Sequence, residues 1–343
     1  MTLVAVTLEP LGPWSGWAES DTVAGALCWA AWLLGQDPAA LAESKELAVS
    51  SLLPVLLRDG RPAVRFFPLP AGTVPEAGGA AARADTLKAL KKVRWLSERL
   101  WEQVATGEAT AGRLLAQAAD GALVRLGELL LTAEEARAAG LEQRNGHWQL
   151  PGGGTPYDTA DVARNQIDRL TGGVGEGLLF FERELVFRRG HAGFWLASAL
   201  PANRLLPLLA VLADTGIGAN RSSGRGHFRI LDWGELSLRV PPAGRRAGFM
   251  LLGRMLPSEA ERAQRPHAWT LQYVQGLYEK RYSADPALAR QPVRVFAAGT
   301  VFEGAPPAAG VAGTVAKVGQ VDGHDVYHCG RTVVARLALE AQP

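Results

Sequence analysis

A chain of 343 residues that is 48% hydrophobic and 20% charged holds enough apolar side chain for two cores and too little charge for an extended, disordered class. Its net charge of +2 does not by itself point to nucleic acid, so any polyanion site has to be local. Cys28 and Cys329 form no CxxC pair, Met1–Leu8 has no basic segment before its apolar run, and no apolar span is long enough for a membrane, so a reduced, cytoplasmic protein is expected.

Residues 2–8 alternate as a half-buried strand does, and Gly12 to Gly16 form a turn before a helix over Thr22–Leu34, with Val23, Ala26, Leu27, Ala30, Leu33 and Leu34 at helical spacing and Gly35 as its stop. Trp14, Trp17, Trp29 and Trp32 crowd this region. Core packing is the default for all four, although Trp14 and Trp17, on a loop, also suit stacking on bases. Residues 50–70 predict a strand pair and 71–85 an Ala/Gly linker. A helix follows over Thr86–Val104, its Lys88, Lys91, Lys92 and Arg94 forming a solvated face. Residues 71–156 are taken as a peripheral insertion, with a hairpin turn at Asn145-Gly146.

Two strands, around Leu178–Glu182 and Phe194–Ala197, flank Arg188-Arg189-Gly190 and feed a helix over Asn203–Ala213 and a strand from Phe228. With the N-terminal strand and helix they complete the ferredoxin-like alternation of strand, helix, strand, strand, helix, strand. A second, degenerate unit begins beyond Gly234. The expectation is an α+β protein of two ferredoxin-like (RRM-like) domains, residues 1–232 with the insertion and residues 233–343.

Between the last helix and strand of the first unit lies Asp214-Thr-Gly-Ile-Gly-Ala-Asn-Arg-Ser-Ser-Gly-Arg-Gly-His-Phe-Arg-Ile230. Gly216, Gly218, Gly224 and Gly226 permit close approach to the main chain, Arg221 and Arg225 supply guanidinium forks, and Asn220, Ser222 and Ser223 supply amides and hydroxyls. The ligand this chemistry suits is a polyanion. A dinucleotide fingerprint would need glycine where Arg221 stands, and the Gly-Lys-Ser/Thr of a Walker loop is absent from the chain.

The order of Arg164-Asn-x-Ile-Asp-Arg-x-Thr171, Leu178-x-Phe-Phe-Glu182, the helix into Asp214-x-Gly-x-Gly218 and Arg221-Ser-Ser-Gly-x-Gly-x-Phe228 resembles the RAMP proteins of CRISPR systems. It is most similar to the type III-A (Csm) effector subunit that caps crRNA at its 5′ tag. Ser20-Asp21-Thr22, Phe67-Pro68-x-Pro70, Lys91-Lys92-x-x-Trp95-Leu96 and Pro292–Val301 extend the resemblance along most of the chain, and residues 71–156 match poorly. It implies a non-catalytic, cofactor-free subunit that binds the 5′ tag beside the large polymerase-like subunit and the backbone RAMP subunit. Gly216, Gly218, Arg221, Ser222, Ser223, Gly224 and Gly226 would line the tag, with Asn220, Arg225 and His227 beside them. Arg164 and Arg169 would either touch RNA or pair with Asp168 and Glu182 inside the fold.

The competing reading is a RAMP endoribonuclease processing precursor crRNA, which needs an imidazole as general acid or base. Of the six histidines, His227 beside the glycine loop is the candidate, with RNA contact or a structural role as its other reading. A metal site at His324-Asp325-x-x-His328-Cys329 is disfavoured, since the segment alternates as a strand.

Overall fold

The computed structural model describes residues 2–76, 88–167, 170, 173–276, 290–307, 309–321 and 323–339. In chain order the first half contains β1 (Leu3–Pro10), α1 (Ser20–Leu33), α2 (Pro38–Glu43), β2 (Leu53–Arg58), β3 (Arg61–Pro68), β4 (Trp95–Ser97), α3 (Glu98–Thr106), α4 (Ala111–Ala119), β5 (Val124–Leu126), β6 (Leu129–Leu131), α5 (Ala133–Ala138), β7 (Glu142–Arg144) and β8 (His147–Gln149). The second half contains β9 (Tyr157–Ile167), β10 (Val174–Phe187), β11 (Ala192–Ser198), α6 (Ala202–Thr215), β12 (Phe228–Leu236), β13 (Arg246–Leu251), α7 (Glu259–Arg262), β14 (Pro266–Ala268), β15 (Leu271–Val274), β16 (Val293–Phe296), β17 (Val301–Glu303), β18 (Val311–Ala312), β19 (Val315–Val321), β20 (His324–Cys329) and β21 (Thr332–Leu339).

The largest sheet runs β12-β1-β11-β2-β3-β4-β6-β5. Its first four strands, taken with α1 and α6, are the βαββαβ unit in ferredoxin-like order, the outer strand last in sequence and β1 at the centre. β1, β2 and β11 are buried at nearly every position because both faces are covered, whereas β12, at the edge of the sheet, is buried only at its two ends. Val4, Val6 and Leu8 of β1 and Phe194 and Leu196 of β11 pack beneath Val23, Leu27 and Ala30 of α1 and Leu205, Leu209 and Leu212 of α6. Ala5, Trp195 and Ala197 face the other way, into a core completed by the insertion (Trp101, Leu130) and by the C-terminal sheet (Met250, Val333, Ala335).

Three expectations change. The insertion, taken as peripheral, adds β4, β6 and β5 to the main sheet and Trp101 and Leu130 to the core. The strand around Leu178–Glu182 is part of β10, which leaves the main sheet and pairs with β9 as a separate two-stranded arm, and β2 takes the second place in the ferredoxin-like unit. Leu179, Phe180 and Phe181 of that arm are exposed. The helix expected over Thr86–Val104 is interrupted, because Trp95 and Leu96 are used as a short buried strand, β4, between β3 and β6 before α3 begins at Glu98. The Asn145-Gly146 turn is as expected, both residues having positive φ between paired Arg144 and His147.

Beyond β12 the chain forms a five-stranded sheet, β14-β17-β13-β21-β18, and the two-stranded ribbons β15-β16 and β19-β20. The N-terminus of α1 is tied to this part: Arg254 N donates to Ser20 Oγ at 2.8 Å, and Arg254 Nη1 lies 3.3 Å from Asp21 Oδ1. Among the described residues no helix is long and apolar enough to cross a membrane.

Candidate nucleic-acid interface

The glycine loop leaves the C-terminus of α6 and returns into β12 through a narrow neck. Ile217 N donates to Gly226 O at 3.1 Å, and Gly226 N donates to Pro13 O at 3.1 Å. The two strands of the neck touch so closely that a Cβ on Gly216 would lie 2.6 Å from Arg225 O and one on Gly226 2.1 Å from Ile217 O. Both glycines also hold positive φ, 80° and 75°. Their glycine identity is therefore explained by the chain crossing itself. The tip differs. Gly218 and Gly224 have positive φ as well, yet a Cβ on either would meet nothing within 4 Å, which leaves bare, solvent-facing backbone at the outermost part of the loop.

Arg221–Ser223 form a single turn of 3-10 helix between two left-handed residues, Asn220 and Gly224. Ser222 and Ser223 are exposed, and Ser223 Oγ donates to Asn220 O at 2.8 Å, which holds the turn closed. The first loop of the chain supports the tip from below: Ser15 Oγ donates to Ala219 O at 3.0 Å, and a Cβ on Gly12 would lie 3.0 Å from Gly224 O. His227 is half-buried in the return strand, where its carbonyl accepts from Leu11 N at 2.9 Å.

The two loop arginines, equivalent by sequence, have different surroundings. Arg225, expected at the RNA, is 2% exposed. Its Nε donates to Glu184 Oε1 at 2.9 Å, its Nη2 also reaches Glu184, and Nη2 lies 2.7 Å from Glu182 Oε2. Arg164, on β9, approaches the same pair, with Nη2 2.7 Å from Glu184 Oε1 and Nε 3.7 Å from Glu182 Oε2. Asn220 Nδ2 donates to Glu182 Oε1 at 3.0 Å. Burial pushes the Glu184 carboxyl up, but hydrogen bonds from Arg225 and then Arg164 outweigh it and hold the group below the usual carboxylate range. Of the two roles open to Arg164, the structure places it in the ion pair. Arg225 and Arg164 thus anchor the loop to the β9-β10 arm, Arg225 with its side chain 3% exposed and Arg164 with its side chain 38% exposed. Arg169 lies outside the described residues. The signal for this hub was in the chain: Glu182 and Glu184 are two apart on a strand and share a face.

The guanidinium of Arg221 lies over the ring of Trp29 at 5.3 Å. Trp29 in turn packs against Trp32, with centroids 5.0 Å apart. Trp14 and Trp17, the loop tryptophans considered for base stacking, are structural. Trp14 is 1% exposed against Phe194, and Trp17 is surrounded by Trp95, Tyr157, Phe187 and Phe194. His324 and His328 lie on β20, and no group of residues able to hold a metal ion occurs among the described residues.

No protein-family model matches the chain, and no curated protein matches it. Solved structures do. A chain of the Csm3-Csm4 subcomplex of the type III-A CRISPR-Cas interference complex is similar over 99% of this chain and 100% of its own, with a TM-score of 0.63 and 12% identity. A chain of the Csm1-Csm4 cassette in complex with cA4 is similar over 100% of both, with a TM-score of 0.58 and 19% identity. The same cassette in complex with pppApA matches at a TM-score of 0.55 and 18% identity over 100% of this chain and 99% of that one. Over its full length, therefore, the chain shares the fold of these chains from type III-A CRISPR complexes.

Proposed function

We propose that this chain is the Csm4-like subunit of a type III-A CRISPR interference complex, a non-catalytic protein that holds the 5′ repeat-derived tag of crRNA. Csm4 is the component common to the similar complexes, which pair it with Csm3 in one case and Csm1 in the others. The subunit bridges the large polymerase-like subunit to the backbone RAMP subunit, in the cytoplasm, without a cofactor. The observation that carries the RNA-binding reading is the loop tip, where open backbone at Gly218 and Gly224 adjoins Arg221 and two exposed hydroxyls. A cation beside open backbone suits the phosphates of a single strand, and hydroxyls and main-chain groups supply what readout of splayed bases requires.

The test is binding of a single-stranded RNA carrying the tag sequence to the purified chain over a range of salt. Arg221→Ala is expected to weaken binding and to reduce the slope of log K against log salt by about 0.7, the share of one phosphate contact on a single strand. Wild-type protein is expected to leave the RNA uncut throughout. Unchanged affinity and slope count against the loop as the phosphate site, and cleavage lost in His227→Ala counts for the endoribonuclease instead.

A further inference from the structure

The chain has two cysteines, one near each end of the sequence, and the fold brings them together. Cys28 lies in α1 and Cys329 is the last residue of β20. Cys329 is buried in the core beneath α1, Cys28 is half-buried against that core, and the two thiols are in hydrogen-bond contact. The seam around them is held from both sides. Tyr327 Oη donates to Glu43 Oε1 at 3.0 Å, and Arg331 Nη1 donates to Ala42 O at 3.1 Å and to Ser44 O at 2.8 Å, so the chain is tied to the end of α2 both before and after Cys329.

Two buried thiols can serve simply as small apolar groups, and in a reducing compartment these rest as thiols. Their charge setting favours reaction. The hydrogen bond from Cys28 holds the Cys329 thiol below its usual range; burial and Asp21 oppose it, and the charges of Arg331 and Arg290 add to it. The same hydrogen bond, together with burial, pushes Cys28 up. One proton is thus shared by two sulfurs, and the pair yields a thiolate more readily than an isolated cysteine does.

We propose that Cys28 and Cys329 are a redox-closable pair, joined by a peroxide into an intramolecular disulfide that ties α1 to β20. The half-buried Cys28 is the sulfur that an oxidant reaches first. With the shared proton on Cys329, the Cys28 thiolate attacks one peroxide oxygen, the O–O bond breaks, and the hydroxide released takes up the proton that the pair has given to solvent; Cys28 becomes a sulfenic acid. The Cys329 sulfur then attacks the Cys28 sulfur, the S–O bond breaks, and the hydroxyl leaves with the Cys329 proton as a second water. Two thiols are oxidised to one disulfide and one peroxide is reduced to two waters. The new bond is about 2 Å long, so sulfurs already in contact meet by side-chain rotation. This pairing stands apart from the reading of the loop as an RNA site.

The experiment uses the full-length chain, reduced, freed of reductant and treated with hydrogen peroxide. Non-reducing peptide mapping by mass spectrometry is expected to show the Cys28 and Cys329 peptides linked, with both free thiols gone and the chain lighter by two hydrogens. The linked protein is expected to melt about 3–8 °C higher, because a cross-link that closes so long a loop restricts the unfolded chain, and dithiothreitol is expected to reverse both changes. Cys28→Ser and Cys329→Ala are each expected to abolish the linkage and the shift, and wild type read before and after oxidation decides the matter if either variant fails to fold. Thiols that both remain titratable, oxidation of Cys28 to a sulfinic acid without linkage, or disulfides formed only between chains would overturn the pair. A linked chain that melts no higher would overturn the tie between α1 and β20.

Discussion

Glu184→Ala is expected to lower the stability of the folded chain by about 3 kcal/mol, seen as a fall of roughly 5–10 °C in Tm. Glu184 is 5% exposed and accepts from both Arg225 and Arg164. An arginine cannot shed its proton, so removing the carboxylate leaves Arg225, itself 2% exposed, charged in a low-dielectric setting. Glu182, 2.7 Å from Arg225 Nη2, remains as a partial counterion, which places the loss at the lower end of the range for a broken buried pair. Glu184→Gln keeps the shape and one acceptor and is expected to lose less. Because these residues join the β9-β10 arm to the glycine loop, limited proteolysis of Glu184→Ala should open first at those two segments. A change below about 1 kcal/mol would show that the pair is solvated and contributes no more than surface ion pairs do.

Gly226→Ala is expected to cost about 2–5 kcal/mol. Roughly 1–2 of this comes from the left-handed backbone, since φ is 75°. The remainder, about 1–3, comes from forcing a methyl group into a filled site, because its Cβ would lie 2.1 Å from Ile217 O and 2.8 Å from Ile217 N. Gly218→Ala separates the two effects. It carries the left-handed penalty of about 1–2 kcal/mol with nothing within 4 Å of its Cβ, so the fold persists while the methyl group occupies the space a ligand would use. Denaturant unfolding and RNA titration of the two variants should therefore part company: Gly226→Ala is lost chiefly in stability, and Gly218→Ala chiefly in binding. Equal stabilities would mean that the neck is not the crossing described.

The ferredoxin-like unit was legible because its signals are local: apolar strands, helical spacing in α1 and α6, and glycines at the helix end. What could not be read was partner choice. The apolar run Leu178–Glu182 marks a strand but does not say whether it joins β11 or pairs with β9, and the apolar Phe180 and Phe181 favour a sheet interior that the arm does not provide. Trp95 and Leu96 fit a helical face equally well, and only the empty edge of β3 makes them a strand. Arg221 and Arg225 are four apart in the same glycine-rich segment and are told apart by Glu182 and Glu184, some 40 residues earlier. Core packing, the default for the N-terminal tryptophans, holds for Trp14 and Trp17 and fails for the exposed Trp32 for a related reason. Loop residues Trp14 and Trp17 turn inward because Phe194 and Tyr157 wait beneath them, and helical Trp32 turns out because α1 buries a different stripe, Val23, Leu27 and Ala30.

The central claim is that the loop tip holds the 5′ tag of crRNA, and the most direct measurement is the sequence of the RNA that accompanies the full chain when it is purified from its host. A population sharing one repeat-derived 5′ end, depleted in the Arg221→Ala protein, is the predicted result. RNA of random 5′ ends, or the same tagged population on Arg221→Ala at undiminished yield, would contradict it.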